Sequence, residues 1–195
     1  VSIAALRACW AVGENGLAAQ CSSFTLAQAL EVALGLKPNV INLSLAGPDD
    51  PLLSRLLDRV IERGIVVVTA YPATTESSFA FPSSHPRVLT AHSAQVRVNS
   101  DSPFTLAAPA NEVLTTTPGA GYAFLSGNSL AAAHTTGVIA LLMEREPDID
   151  AERIAAILTA TTTYSAGSAS INACRAVARL AGAEPCLAPS ASARF

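Results

Sequence analysis

The stretch Ser126-Gly127-Asn128-Ser129-Leu130-Ala131-Ala132-Ala133-His134 decides how the rest of the chain is read. A glycine turn here delivers a serine to the first turn of a helix. From Ser129 to Glu144 the residues are apolar nearly all round, a composition suited to a helix buried at the centre of a domain. The unpaired amides and positive dipole end of such a helix start stabilise negative charge, including an oxyanion formed when a serine attacks a carbonyl. Taken alone, Ser129 has a plainer and commoner reading as the cap of a buried helix. The run of small residues behind it allows close packing and leaves room for a ligand at the helix tip.

Outward from this helix, short apolar runs alternate with helical ones. Strands are expected at 2–8, 39–45, 65–71, 88–92, 105–108 and 112–117. Between them, Thr25 to Leu36 and Pro51 to Arg63 place apolar residues at three- and four-residue spacing, with Asp49 and Asp50 set to cap the second helix. A further helix is expected from Asp150 to Ala160. This alternation predicts an α/β protein, a three-layer α/β/α arrangement around a mostly parallel sheet. Residues 1–184 read as one domain, and 185–195, rich in Ala, Ser and Pro, as a tail or linker. The opening Val1-Ser2-Ile3-Ala4-Ala5-Leu6 runs into an apolar strand without a turn or cap, so the chain is expected to begin inside its domain, N-terminally incomplete.

Composition narrows the function classes. A chain of 195 residues that is 50% hydrophobic and 14% charged supports a compact fold with a large interior. The net charge of −3, with Lys37 the only lysine and the arginines scattered, argues against a phosphate-tracking surface, so no nucleic-acid partner is expected. Apolar runs such as Ile65 to Val68 fall far short of the roughly 20 residues that span a bilayer, and no membrane partner is expected either. Four cysteines allow three pairings; the spacing suggests Cys9 with Cys21 and Cys174 with Cys186, against the alternative of buried thiols. Two disulfides would indicate export, to the outside or the periplasm. With no Cys-x-x-Cys pair and no dense run of oxygen ligands, neither metal nor cofactor is expected.

Gly127 to His134 resembles the Gly-Thr-Ser-Met-Ala-Ser-Pro-His signature around the nucleophile of subtilisin-family (S8) serine proteases. Other landmarks follow in family order. Val40 to Pro48 (Val-Ile-Asn-Leu-Ser-Leu-Ala-Gly-Pro) resembles the strand that ends in Ser-Leu-Gly-Gly and lines the substrate cleft. Gly64 to Ala70 resembles the strand leading to the oxyanion asparagine, Phe81-Pro82-Ser83-Ser84 the Tyr-Pro-Ala-Ser segment after it, and Leu106-Ala107-Ala108-Pro109 the Ala-Pro-Gly turn. The resemblance implies a subtilisin-like fold, Ser129 as nucleophile of a serine endopeptidase, and substrate binding by Ser44, Leu45, Ala46, Gly47, Ala70 and Tyr71. Peptides or proteins are the implied substrates.

Departures from the family pattern qualify what the resemblance implies. His134 lies five residues beyond Ser129, about 140° around the helix, and matches the signature's non-catalytic histidine. His85 and His92 lack the family's His-Gly-Thr context. The catalytic Asp and His of the family precede the strand with which this chain begins, so the missing N-terminal half of the same domain is expected to supply them, and this chain alone to be inactive. Ala73 stands where the family has its oxyanion asparagine, a loss worth about 10²–10³ in turnover, the reference case being a subtilisin itself. Asn128, where the family has Thr, is the candidate replacement donor. Leu130 and Ala133 replace the usual Met and Pro. The sequon Asn42-Leu43-Ser44 falls in a strand expected to be buried and is given no weight. Two other readings stand beside it: a pseudoprotease serving as a peptide-binding or regulatory module, and an unrelated α/β hydrolase, whose Gly-x-Ser-x-Gly elbow fails at Ala131.

Overall fold

The computed structural model describes residues 1–12, 18–72, 81–96, 98, 100, 102–117, 119–165 and 168–183. The first regular element is an antiparallel hairpin of β1 (Cys9–Val12) and β2 (Ala18–Cys21), with a disulfide between Cys9 and Cys21 at its base. Ser22 then caps α1 (Ser23–Leu36) through a reciprocal pair with Thr25, each side-chain oxygen accepting the other residue's backbone N–H. The chain continues through β3 (Val40–Leu43) into α2 (Pro51–Glu62). Asp50 starts α2 by accepting the N–H groups of Leu52 and Leu53, and Pro51 fills the position where a missing N–H costs nothing.

Next come β4 (Val66–Ala70), β5 (Leu89–Ser93) and β6 (Thr105–Ala108). With β3 they form one parallel sheet in the order β3-β4-β5-β6. A second hairpin, β7 (Val113–Thr117) and β8 (Gly121–Leu125), leads directly into α3 (Asn128–Arg145). The remaining described elements are α4 (Ala151–Ala160), the hairpin β9 (Thr163–Ser165) and β10 (Ser168–Ser170), and α5 (Ala173–Ala181).

Alternation along β4 explains the layers. Val66, Val68 and Ala70 pack into a core with Ile139 and Leu142 of α3, Ile154 and Leu158 of α4, and Ala176 of α5. Val67 points the other way, joining Leu30 and Leu34 of α1 and Leu57 and Val60 of α2. Because both faces are covered, all five residues of β4 are buried and β-branched valine dominates the strand. Each fully buried Leu or Ile in these two cores contributes about 1.5–3 kcal/mol. The three-layer α/β/α arrangement is as the strand and helix pattern predicts. None of the helices among the described residues is long and apolar enough to cross a membrane.

Three expectations are corrected. Residues 2–8 form no strand: Val1 and Ile3 are 97% and 90% exposed, and alternation yields a strand only where a ladder partner and a covering layer are present. The segment is anchored at its end, where the Thr25 hydroxyl donates to the Ala8 carbonyl at 2.7 Å. Second, α3 is not buried all round. Its buried stripe is Ala131, Ala132, Thr135, Val138, Ile139, Leu142 and Met143, whereas Ser129, Ala133, His134 and Gly137 are exposed because the sheet covers only one side. Third, Asn42 is exposed on β3, whose outer edge has no partner strand among the described residues. The disulfide Cys9–Cys21 forms as the spacing suggests; Cys174 is also disulfide-bonded, while Cys186 and the tail lie outside the described residues.

Thr135 sits fully buried in α3, and its hydroxyl has no hydrogen-bond partner among the described residues. Orphaning a buried hydroxyl costs about 1–3 kcal/mol. Thr135→Val keeps the shape and the β-branch while removing that cost, so it is expected to stabilise the chain by about 1 kcal/mol, raising Tm by about 2–4 °C. Thermal unfolding followed by circular dichroism checks this; an unchanged or lower Tm would show that the hydroxyl is satisfied in solution.

Candidate active site

The chain reaches the N-terminus of α3 through a tight constraint. Gly127, its N-cap, has φ 154° and ψ 154°, in a region that residues with a Cβ rarely adopt. Its N–H donates to the Ala110 carbonyl at 2.8 Å, and its own carbonyl accepts from Leu130 N–H at 2.9 Å. Just before it, the Ser126 hydroxyl accepts from Glu112 N–H, tying the end of β8 to the turn before β7. The outcome is an exposed Ser129 in the first turn of an 18-residue helix, beside the C-terminal ends of the parallel strands. Crevices at such strand ends are the usual ligand sites of parallel α/β sheets.

Of the sequence-predicted cleft residues, Ser44 reaches Ser129 and Tyr71 reaches the neighbouring Asn128. Ser44, just past β3, places its hydroxyl 3.4 Å from the Ser129 carbonyl oxygen and 3.0 Å from Asn42 Oδ1, its nearer acceptor. Leu45 is half-buried against the α1–α2 core, whereas Ala46 is exposed. Gly47 is held by an antiparallel bridge in which its N–H donates to the Phe81 carbonyl at 2.9 Å. Ala70, the last residue of β4, is buried in the core on the α3 side, and Tyr71 just past it is half-buried, its ring edge-on to His92 at 6.3 Å. Asn128 uses its side-chain amide on two backbone groups: Oδ1 accepts from Ser93 N–H at 2.9 Å, and Nδ2 donates to the Tyr71 carbonyl at 2.8 Å.

Two residues that sequence reading passed over position this rim. Thr69 is fully buried at the end of β4, and its hydroxyl donates to the Leu43 carbonyl at 2.8 Å, with the Leu45 carbonyl at 3.3 Å. Ser93 donates its hydroxyl to Asn111 Oδ1 at 2.8 Å, linking β5 to the turn that receives Gly127. A threonine inside an apolar run and a serine at its end were the only signals. Ala73, at the position of the family's oxyanion asparagine, lies outside the described residues.

None of the three histidines is hydrogen-bonded to Ser129. His134 Nδ1 donates to the Leu130 carbonyl at 3.0 Å on the exposed side of α3. His85 bridges Asp58 of α2 through Nε2 at 3.0 Å and accepts Arg87 N–H at Nδ1. That pair belongs to the opposite helical layer. His92 Nδ1 donates to the neighbouring Ser93 carbonyl at 2.9 Å. Among the described residues, no three His, Cys, Asp or Glu side chains gather as a metal site. A largely apolar cavity of about 750 Å³ lies between the N-terminal segment, the outer edge of β3 and the Ala133, Gly137 and Ala140 face of α3, and Ser44 is among the residues that line it.

Fold and site together define a class: a three-layer α/β/α protein that presents a serine from a central helix over the ends of a parallel sheet. A sequence model of the subtilase family, peptidase S8, matches residues 10–177, and the chain belongs to this family. Subtilisin from Bacillus pumilus is 28% identical over 150 residues, covering 71% of this chain and 54% of that protein. Subtilisin BL from Lederbergia lenta is 32% identical over 152 residues, with 74% and 55% covered. The chain therefore spans about half the length of these curated relatives.

Among solved structures, the self-cleaved protease domain of PatA superposes with a TM-score of 0.66 at 22% identity, covering 84% of this chain and 69% of that one. Fervidolysin from Fervidobacterium pennivorans, a keratinolytic enzyme related to subtilisin, gives 0.65 at 22% identity, with 79% and 28% covered. These likenesses establish the subtilisin-like fold.

Partial burial lowers the pKa of His92, an effect only partly offset by its hydrogen bonds to the Ser93 and Val96 carbonyls. With a folded pKa below the unfolded value of about 6.5, the unfolded chain binds the proton more readily, so stability from neutral His92 is present above that pH and is lost as pH falls. Urea unfolding from about pH 8 to pH 5 should show a steeper loss in the natural chain than in His92→Gln. Equal slopes would remove His92 from the acid response.

Proposed function

We propose that this chain is the nucleophile-bearing part of a serine endopeptidase domain, with Ser129 forming the acyl-enzyme on peptide or protein substrates. The observation that carries the reading is Ser129 itself, exposed in the first turn of α3 with its carbonyl beside the Ser44 hydroxyl, while the neighbouring Asn128 bonds the Tyr71 carbonyl. Attack on a scissile carbonyl requires a histidine to take the serine proton and an aspartate to orient that histidine. Since the three histidines present are engaged elsewhere, those groups come from a further segment of the same domain. The edge of β3, unpaired among the described residues, and the exposed small-residue face of α3, Ala133 and Gly137, form the apolar surface available to that segment. Without it the chain is inactive. In the bound state, the Ser44–Gly47 rim and the Ala70–Tyr71 exit of β4 flank the substrate.

The Cys9–Cys21 disulfide supports an exported protein, outside the cell or in the periplasm. A second reading has one observation in its favour: Ala73 at the oxyanion position suits a pseudoprotease that binds peptides without turning them over.

Treatment of the longest reading frame containing this chain with a fluorophosphonate probe separates the two. Labelling and peptide hydrolysis are expected in the natural protein, and both are expected to vanish in Ser129→Ala. A folded protein that binds peptide but is never labelled would establish the pseudoprotease.

A further inference from the structure

The ladder between β4 and β5 ends in an unusual way. Its last rung is the Tyr71 N–H donating to the Ala91 carbonyl at 2.8 Å. In a parallel ladder the next bond would run from Ser93 N–H to the Tyr71 carbonyl, since each residue of one strand bonds the two that flank its neighbour on the other. That bond is replaced. Ser93 N–H donates instead to Asn128 Oδ1 at 2.9 Å, and Asn128 Nδ2 donates to the Tyr71 carbonyl at 2.8 Å. The asparagine side chain stands between the two strand ends as a substitute peptide group, one acceptor and one donor facing opposite ways.

We propose that Asn128 is a positioning residue: by replacing the last β4–β5 rung it locks the serine turn to both strand ends and sets where Ser129 stands relative to the exit of β4. The proposal rests on the peptidase reading and deepens it, because the exit of β4 is the cleft wall that carries Tyr71. The bridge uses one of the two Nδ2 hydrogens on Tyr71 and gives the residue next to the nucleophile a use beyond the oxyanion donor that its position suggests. Two further bonds brace the arrangement, from Gly127 N–H to the Ala110 carbonyl and from the Ser93 hydroxyl to Asn111 Oδ1. The chemistry is specific to asparagine. Aspartate has no donor for Tyr71, alanine has neither function, and glutamine holds the same amide one methylene farther out.

Two measurements test it. In the 195-residue chain, amide hydrogen exchange followed by NMR should find Ser93 protected, and Asn128→Ala should speed exchange at both Ser93 and Leu130 by about tenfold to a hundredfold. In the longest reading frame, Asn128→Ala and Asn128→Asp should slow the first-order rate of fluorophosphonate labelling at saturating probe by about tenfold or more, with the labelled fraction and the probe's half-saturation held. A merely structural role would lower the labelled fraction and leave that rate constant alone. Fast Ser93 exchange in the natural chain overturns the proposal, as does an unchanged labelling rate in a variant whose Ser93 has opened. If the natural frame is never labelled, the peptidase reading fails while exchange still decides the bridge: opening at Ser93 and Leu130 together supports it, and opening at Ser93 alone overturns it.

Discussion

The seating of α3 against the sheet is the constraint on which the rest of the structure depends. One stripe of the helix, from Ala131 to Met143, is buried on β4, β5 and β6 and shares its core with α4 and α5. Its N-terminal part does so with alanines, which let helix and sheet approach closely, and its C-terminal part with Ile139 and Leu142, which fill the wider gap. This places the N-terminal turn at the strand ends within hydrogen-bond reach of β5 and of the exit of β4. The Gly127, Asn128 and Ser44 contacts become possible only after the helix has been laid down in that register.

The opposite side of the same helix is left bare. Ser129, Ala133 and Gly137 follow one another along a side that nothing covers among the described residues, and β3 beside them has a free outer edge. The apolar cavity between them runs along both elements. A stripe of small apolar residues in water gains little by exposure, and an unpaired parallel edge strand offers ladder groups to a neighbour.

Much of the architecture was legible in the residues. The apolar five-residue run of β4 reads as a strand covered on both faces, and Asp50-Pro51 marks the start of α2 within a residue. The serine turn was legible through its glycine, whose backbone few other residues adopt. The alternation of Val1 to Leu6 misled, because period-two patterning reports a tendency that a ladder partner must realise. The hairpin strands β1, β2, β8, β9 and β10 escape a sequence reading: they pair outside the parallel sheet that the alternation of strands and helices announces.

What the sequence by itself determined, then, was the order of strands and helices and the serine at a helix start, since both follow from local periodicity, capping and glycine geometry. Tertiary structure alone decided how that serine is held. Residues 35 and 57 positions apart in sequence from Asn128, namely Ser93 and Tyr71, offer it a donor and an acceptor only because two parallel strands end side by side beneath the helix. The same holds for His85, whose partner Asp58 lies 27 residues away on α2, whereas His92 and His134 bond carbonyls one and four residues away. A hydrogen bond depends on distances of a few tenths of an ångström and on direction, and for long-range pairs those are set by the packing of layers.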